Sequence, residues 1–239
     1  MMYIKAPSFN MMPDIDPEMN SPYFWLSRLN QIDDIILDDQ KIQELNINSE
    51  NKRLINNVLE PFTHLPGLHK LIEQCHDNVG QYQEMFMKKE LFLQNGKRLT
   101  VERIIPYFNY VVWYNKPCFA MVCRHSDERL LPIPDKWMEK PDDYEFDFLQ
   151  NNALDFGTLC WIFAETPDKR WVLQINNSTC GWILKSNVTV LENAEHADVK
   201  QRLCVINPVI PLFLDSECTR FKCSVRMGAQ LYMTDEFSH

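Results

Sequence analysis

Residues 146–188, FDFLQNNALDFGTLCWIFAETPDKRWVLQINNSTCGWILKSNV, limit what this chain can fold into more than any other stretch. Leu159, Trp161 and Phe163 alternate with Cys160, Ile162 and Ala164, and Thr166-Pro167-Asp168-Lys169 breaks the run. Trp171, Leu173 and Ile175 then alternate with Val172, Gln174 and Asn176. Asn176-Asn177-Ser178-Thr179 breaks the pattern again, and Gly181-Trp182-Ile183-Leu184 closes it. Period-two patterning bounded by Pro, Asp and Asn clusters predicts three short strands in a β-meander.

The surroundings decide what such a meander is for. The 239 residues suit one large domain or two small ones with an added segment. Apolar residues at 45% supply a core, which excludes global disorder. A net charge of −9 argues against a general nucleic-acid or anionic-membrane binder, since both need a basic face. No apolar run is long enough to span a membrane. The first 20 residues carry one Lys followed by acids and lack the basic and apolar regions of a secretory signal. The chain is therefore expected to be cytoplasmic, or to lie in a bacterial envelope or periplasm if a signal was removed.

The period changes along the chain. Residues 1–20 read as an extended arm with five Met and three Pro. Residues 21–90 read as a small helical segment with three candidate helices. The first is capped by Asp33-Asp34 or by Asp38, the second covers Leu54 to Leu59, and the third runs from Leu68 to Cys75 with Gly80 as a stop. From residue 91 strands are expected: a hairpin with Asn95-Gly96 at its tip, then short strands at 104–105, 108–114 and 119–123. Lys136 to Asp147 reads as a charged loop. Residues 191–202 read as a linker. Residues 203–239 read as strands restricted by Pro208 and Pro211, ending in a hairpin over 224–233. The class predicted from these periods is α+β.

Eight cysteines are present without C-x-x-C or zinc-ligand spacing. Cys160 with Cys180, and Cys218 with Cys223, are placed to bridge in an oxidising compartment; buried free thiols are the alternative. Neither a metal site nor a cofactor is expected.

Several segments, in order, resemble the N-terminal region of NlpC/P60-type cell-wall peptidases. Residues 21–28 (SPYFWLSR), 34–38 (DIILD) and 42–46 (IQELN) are similar to the helical stabilising segment of that family. Residues 125–132 (HSDERLLP) resemble the Arg- and Pro-containing loop of its first bacterial SH3 domain. Phe148-Leu149-Gln150, Gly157, residues 171–174 and residues 181–183 resemble the rest of that domain, and residues 225–231 (VRMGAQL) the opening of a second. The resemblance implies a small helical N-terminal segment over 21–90, an SH3-like β-barrel over 91–190, and a partial second SH3-like unit over 203–239. It implies a peptidase acting on γ-D-glutamyl-diamino-acid bonds of peptidoglycan. In that family the catalytic Cys opens a helix in an Asp-Cys-Ser motif, and none of the eight cysteines has that setting. Catalytic residues are therefore expected outside this chain. Its own role is expected to be non-catalytic: targeting or substrate shaping, with peptidoglycan peptides or a downstream catalytic domain as partner. The alternative is a stand-alone SH3-like adaptor for a protein or peptide.

Two segments are expected to face a ligand. Tyr107, Tyr110 and Tyr114 belong to an aromatic stretch of the kind that lines peptide grooves. Arg124, Asp127 and Arg129 present charge toward a carboxylate-bearing ligand. Arg129 has an alternative use, bracing its own loop through carbonyl groups. Trp161, Trp171 and Trp182 are expected in the core.

Overall fold

The computed structural model describes residues 16–29, 35–52, 54–59, 65–109, 111–191 and 202–232. Two units are distinguished, residues 1–47 and 48–239. In the first, a 3-10 turn (Pro17–Asn20) precedes helix α1 (Pro22–Leu26). Trp25 Nε1 donates to the Met19 carbonyl at 2.8 Å, tying the turn to the helix. Helix α2 (Asp39–Asn51) starts where the Asp38 carboxylate accepts from the Lys41 backbone N–H at 2.9 Å. Of the two predicted caps, Asp38 is the one seen, while Asp33 and Asp34 lie outside the described residues.

The second unit carries the sheet. Helix α3 (Leu65–Lys88) passes through Gly80 without stopping, because the apolar stripe of Leu71, Cys75, Tyr82 and Phe86 continues beyond it. Residues 54–59 are not helical as expected; they form a strap. Asn56 N–H donates to the Asn177 carbonyl at 2.7 Å, and Trp161 Nε1 to the Val58 carbonyl at 2.8 Å. These distant partners hold the strap, and local helix propensity yields to them.

Strand β1 (Phe92–Leu93) leads into the expected turn, with Gly96 at φ 75°. Where strands are expected at 104–105 and from 108, helices α4 (Val101–Ile104) and α5 (Pro106–Asn109) stand, and the strand character expected over 112–114 and 119–122 belongs to one longer strand. Strand β2 (Val112–Val122) is followed by β3 (Ser126–Arg129), and β4 (Trp137–Met138) pairs with β1. Strands β5 (Gln150–Leu154), β6 (Leu159–Glu165), β7 (Trp171–Asn176), β8 (Cys180–Leu184) and β9 (Val188–Val190) complete the main sheet. Seven strands join antiparallel in the order β5-β3-β8-β7-β6-β2-β9. The predicted meander is present as β6, β7 and β8. Among the described residues the hydrogen-bonded order does not close on itself, so the sheet is not the closed barrel expected.

Both faces of the meander are buried. Trp161, Phe163, Leu173, Ile175 and Trp182 pack with α3 and the strap, while Cys160, Ile162, Val172 and Ile183 pack with Ala120, Val122 and Leu154. A third cluster joins the end of α3 to the loops, with Phe86 against Leu91, Leu99, Ile104, Leu131 and Trp137.

Strands β10 (Arg202–Cys204), β11 (Val209–Phe213), β12 (Phe221–Arg226) and β13 (Gln230–Tyr232) follow. They pair as β11 with β12 and as β10 with β13. The hairpin expected over 224–233 is therefore replaced by nested pairs. Pro211 fits because β11 has one neighbour only. This unit meets the main sheet at the β5–β6 turn. Gly157 has φ 90°, and a Cβ there would lie 2.3 Å from the Gln230 carbonyl oxygen. Gly157→Ala is expected to cost about 2 kcal/mol, read as a lower urea midpoint. Beside it Arg226 Nε donates to Asp155 at 2.9 Å.

All eight cysteines are free. Cys160 and Cys180 belong to different core clusters on the two faces of the meander, and the neighbour of Cys180 is Cys75, with sulfurs 3.7 Å apart. Cys218 is exposed and unbridged to Cys223. Among the described residues no helix is long and apolar enough to cross a membrane.

Candidate ligand-binding clefts

Two clefts share Trp171 as a common wall. The first, of about 540 Å³, is lined by Arg103, Pro106, Tyr107, Pro132, Trp171 and the turn residues Thr166 to Asp168. The second, of about 270 Å³, takes in His125, Asp127, Arg129, Pro134, Arg170 and Trp171. Both are mainly apolar in surface, with Arg103 and Asp168 among the walls of the first and His125, Asp127, Arg129 and Arg170 among those of the second. Together they offer an aromatic floor beside charge, a combination suited to an extended peptide.

Each wall has a local cause. Thr166 Oγ1 donates to Asp168 Oδ1 at 2.6 Å, and the Arg170 backbone N–H donates to the same oxygen at 3.1 Å. Both hydrogen bonds hold the turn, and the Thr166 contact is the main reason the Asp168 carboxyl lies below its ordinary pKa. Lys169, at φ 59°, completes the bend. Tyr107 is placed by an edge-to-face contact with Trp137, ring centres 6.1 Å apart.

The ligand residues expected from sequence divide. Tyr107 lines the first cleft, and Asp127 and Arg129 line the second. Asp127 is exposed. Arg129 is buried and already committed: Nε donates to the Ile133 carbonyl at 3.1 Å and Nη2 to the Asp135 carbonyl at 2.7 Å. It also pairs with Asp147, whose carboxylate accepts from Leu149 N–H at 3.1 Å. Arg129 thus braces the loop that walls the clefts. Tyr114 lies apart from both, donating to Glu165 at 2.9 Å, and its phenol pKa is raised by burial and by that carboxylate. Glu165 also accepts from Lys185 at 2.6 Å, the largest cause of its lowered pKa. Arg124 is exposed in the loop between β2 and β3, next to His125. Tyr110 lies outside the described residues.

Trp171 as a cleft wall was not foreseen. It is 6% exposed, so its core role and its wall role coexist. The signal available was its position straight after the Pro-Asp turn, at a strand end.

Strand β3 also holds a buried carboxylate that sequence reasoning missed. Glu128 is 0% exposed. It accepts from Gln174 Nε2 at 3.0 Å, Asn176 Nδ2 at 3.0 Å and Thr179 Oγ1 at 2.7 Å. Asn151 Nδ2 supplies a fourth donor at 2.5 Å. Burial raises its pKa, and the four donors pull the other way without cancelling it. Gly181 makes room: a Cβ there would lie 2.7 Å from Glu128.

The buried thiols of Cys160 and Cys180 are not poised as nucleophiles. Burial lifts Cys160 to about 12, and Cys180 is raised by its contact with Cys75 and by burial. Among the described residues no group of His, Cys, Asp and Glu could hold a metal ion.

No family model matches the chain, and no curated protein matches it. Among solved structures it is similar to an NlpC/P60 endopeptidase from Photobacterium damselae subsp. piscicida, at 17% identity and a TM-score of 0.62. The match covers 89% of this chain and 50% of that one, so this chain corresponds to about half of the endopeptidase's length. The arrangement of helices and antiparallel sheet described above is therefore one shared with an NlpC/P60 endopeptidase.

Proposed function

We propose that this chain is a non-catalytic recognition region of a peptidoglycan endopeptidase. The main sheet is read as an SH3-type unit and residues 202–232 as strands of a second. The nucleophile would come from a catalytic domain that these residues do not include, and the setting is the bacterial cell envelope. One observation carries the proposal: a fold that overlays on half of an NlpC/P60 endopeptidase. The clefts beside Trp171 support it. Tyr107 and Trp171 give a flat apolar floor for a peptide, and Asp127 with Arg170 offers charge of both signs to its carboxylates and amines.

The test is a titration of the chain with a soluble stem peptide containing a γ-D-glutamyl-diamino-acid link, followed by amide chemical shifts. Saturable shifts are expected around residues 103–107 and 166–171. Tyr107→Ala, which truncates a half-exposed ring, is expected to weaken binding about tenfold, a typical loss for an aromatic contact. A folded chain that ignores the stem peptide overturns the proposal. Binding of unrelated Pro-containing peptides with the stem peptide ignored would favour the adaptor reading.

A further inference from the structure

Two thiols from distant parts of the chain meet inside the second unit. Cys75 on α3 is 0% exposed and Cys180 on β8 is 2% exposed. Their sulfurs lie 3.7 Å apart, although the residues are 105 positions apart in the chain. Both belong to the core cluster that joins α3 and the strap to one face of the meander. The backbone beside the pair is already held. Tyr82, about two turns further along α3, donates from Oη to the Cys180 carbonyl at 2.7 Å. Asn151 Nδ2 donates to the same carbonyl at 3.1 Å.

As a hydrogen bond the contact is weak, because a thiol is a poor donor and its sulfur a poor acceptor. What sets the pair apart is its redox chemistry. A disulfide needs its sulfurs at about 2.05 Å, and turning the two facing side chains toward each other closes that gap.

We infer that Cys75 and Cys180 are joined by a disulfide when the chain folds in an oxidising compartment, stapling α3 to β8. The compartment alone rests on the envelope setting proposed above. The oxidant is another disulfide, that of oxidised glutathione or of a dithiol oxidoreductase. The thiolate of one cysteine attacks a sulfur of that disulfide, releasing one reduced thiol and leaving a mixed disulfide. The thiolate of the other cysteine then attacks the first cysteine's sulfur, closing the bond and releasing the second thiol. Two electrons pass from the cysteine sulfurs to the oxidant, and the two cysteine protons end on the released thiols. Exchange runs through thiolates, and the contact with Cys75 and burial both raise the Cys180 pKa. The bond therefore forms while the chain is folding, before the core closes over the pair.

The test uses the full chain, unfolded in urea with reductant and then refolded in a buffer of reduced and oxidised glutathione. Remaining thiols are alkylated under denaturing conditions, and the product is weighed and peptide-mapped. The expected product carries two fewer alkyl groups than the fully reduced chain and yields one cross-linked peptide pair holding Cys75 and Cys180. The oxidised chain is expected to unfold at a higher urea concentration than the chain kept in reductant, its folded-to-unfolded ratio about a hundredfold larger. Cys75→Ala is expected to leave Cys180 alkylated; where that variant does not fold, the wild-type peptide map decides. Alkylation of both Cys75 and Cys180 in the refolded wild type, a bridge from either to another cysteine, or an unchanged urea midpoint each overturns the inference. Stem-peptide binding plays no part in these readings, so failure here and failure of the proposed function are told apart.

Discussion

Replacing Glu128 by Ala is expected to lower the unfolding free energy by about 3–5 kcal/mol, measured as a shift in denaturant midpoint with the slope unchanged. Four side-chain donors converge on this carboxylate from β5, β7 and the β7–β8 turn. Removing it strands several of them inside the protein, and buried unsatisfied donors are costlier than a lost contact. The same group gives a pH signature. Its folded pKa is raised above the ordinary 4.5, so the folded state holds the proton to higher pH than the unfolded chain does. Between 4.5 and the raised value the folded state binds more protons, and this group's contribution to stability falls as pH rises. Above that window its contribution is flat. Glu128→Gln does not titrate, so the wild-type-minus-variant stability should decline with rising pH across that window and nowhere else. Taking the difference cancels the other carboxylates.

Phe86→Ala is expected to cost about 3–5 kcal/mol, the range for deleting a buried aromatic ring. Phe86 is 0% exposed. Its ring lies 5.6 Å from Phe148, 5.9 Å from Phe108 and 6.0 Å from Trp137. Helix α5, strand β4 and the loop before β5 therefore close over one side chain of α3. The cavity left behind would loosen Trp137, the ring against which Tyr107 rests. The variant should thus lose cleft binding as well as stability, although it touches no ligand. Equilibrium unfolding reads the first effect and stem-peptide titration at low temperature the second. Unchanged stability would contradict the packing described.

The meander was legible because its period-two pattern is supported by pairing with immediate neighbours; β6, β7 and β8 fall where the residues put them. The α3 helix was legible in type but not in length. Gly80 reads as a stop locally, yet the core contacts of Tyr82 and Phe86 outweigh the propensity loss of about 1 kcal/mol. The residues at 101–109 misled for a related reason. Ile104, Ile105 and Phe108 have β-favouring side chains, but Pro106 supplies a helix start and Ile104 is buried among loop residues. Glu128 was hidden because its donors lie 23 to 51 positions away. Tyr107 was legible as a cleft residue, whereas Trp171 was legible only as core. Nothing local distinguishes a tryptophan that fills a core from one that fills it and also walls a cleft.

The central claim is that the clefts flanking Trp171 recognise cell-wall peptides. Co-sedimentation of the full chain with purified peptidoglycan, alongside the Tyr107→Ala variant, tests it most directly. Saturable pelleting of the wild type, with the variant about tenfold weaker, is the predicted result. A folded wild type that stays in the supernatant, or a variant that pellets equally well, would contradict it.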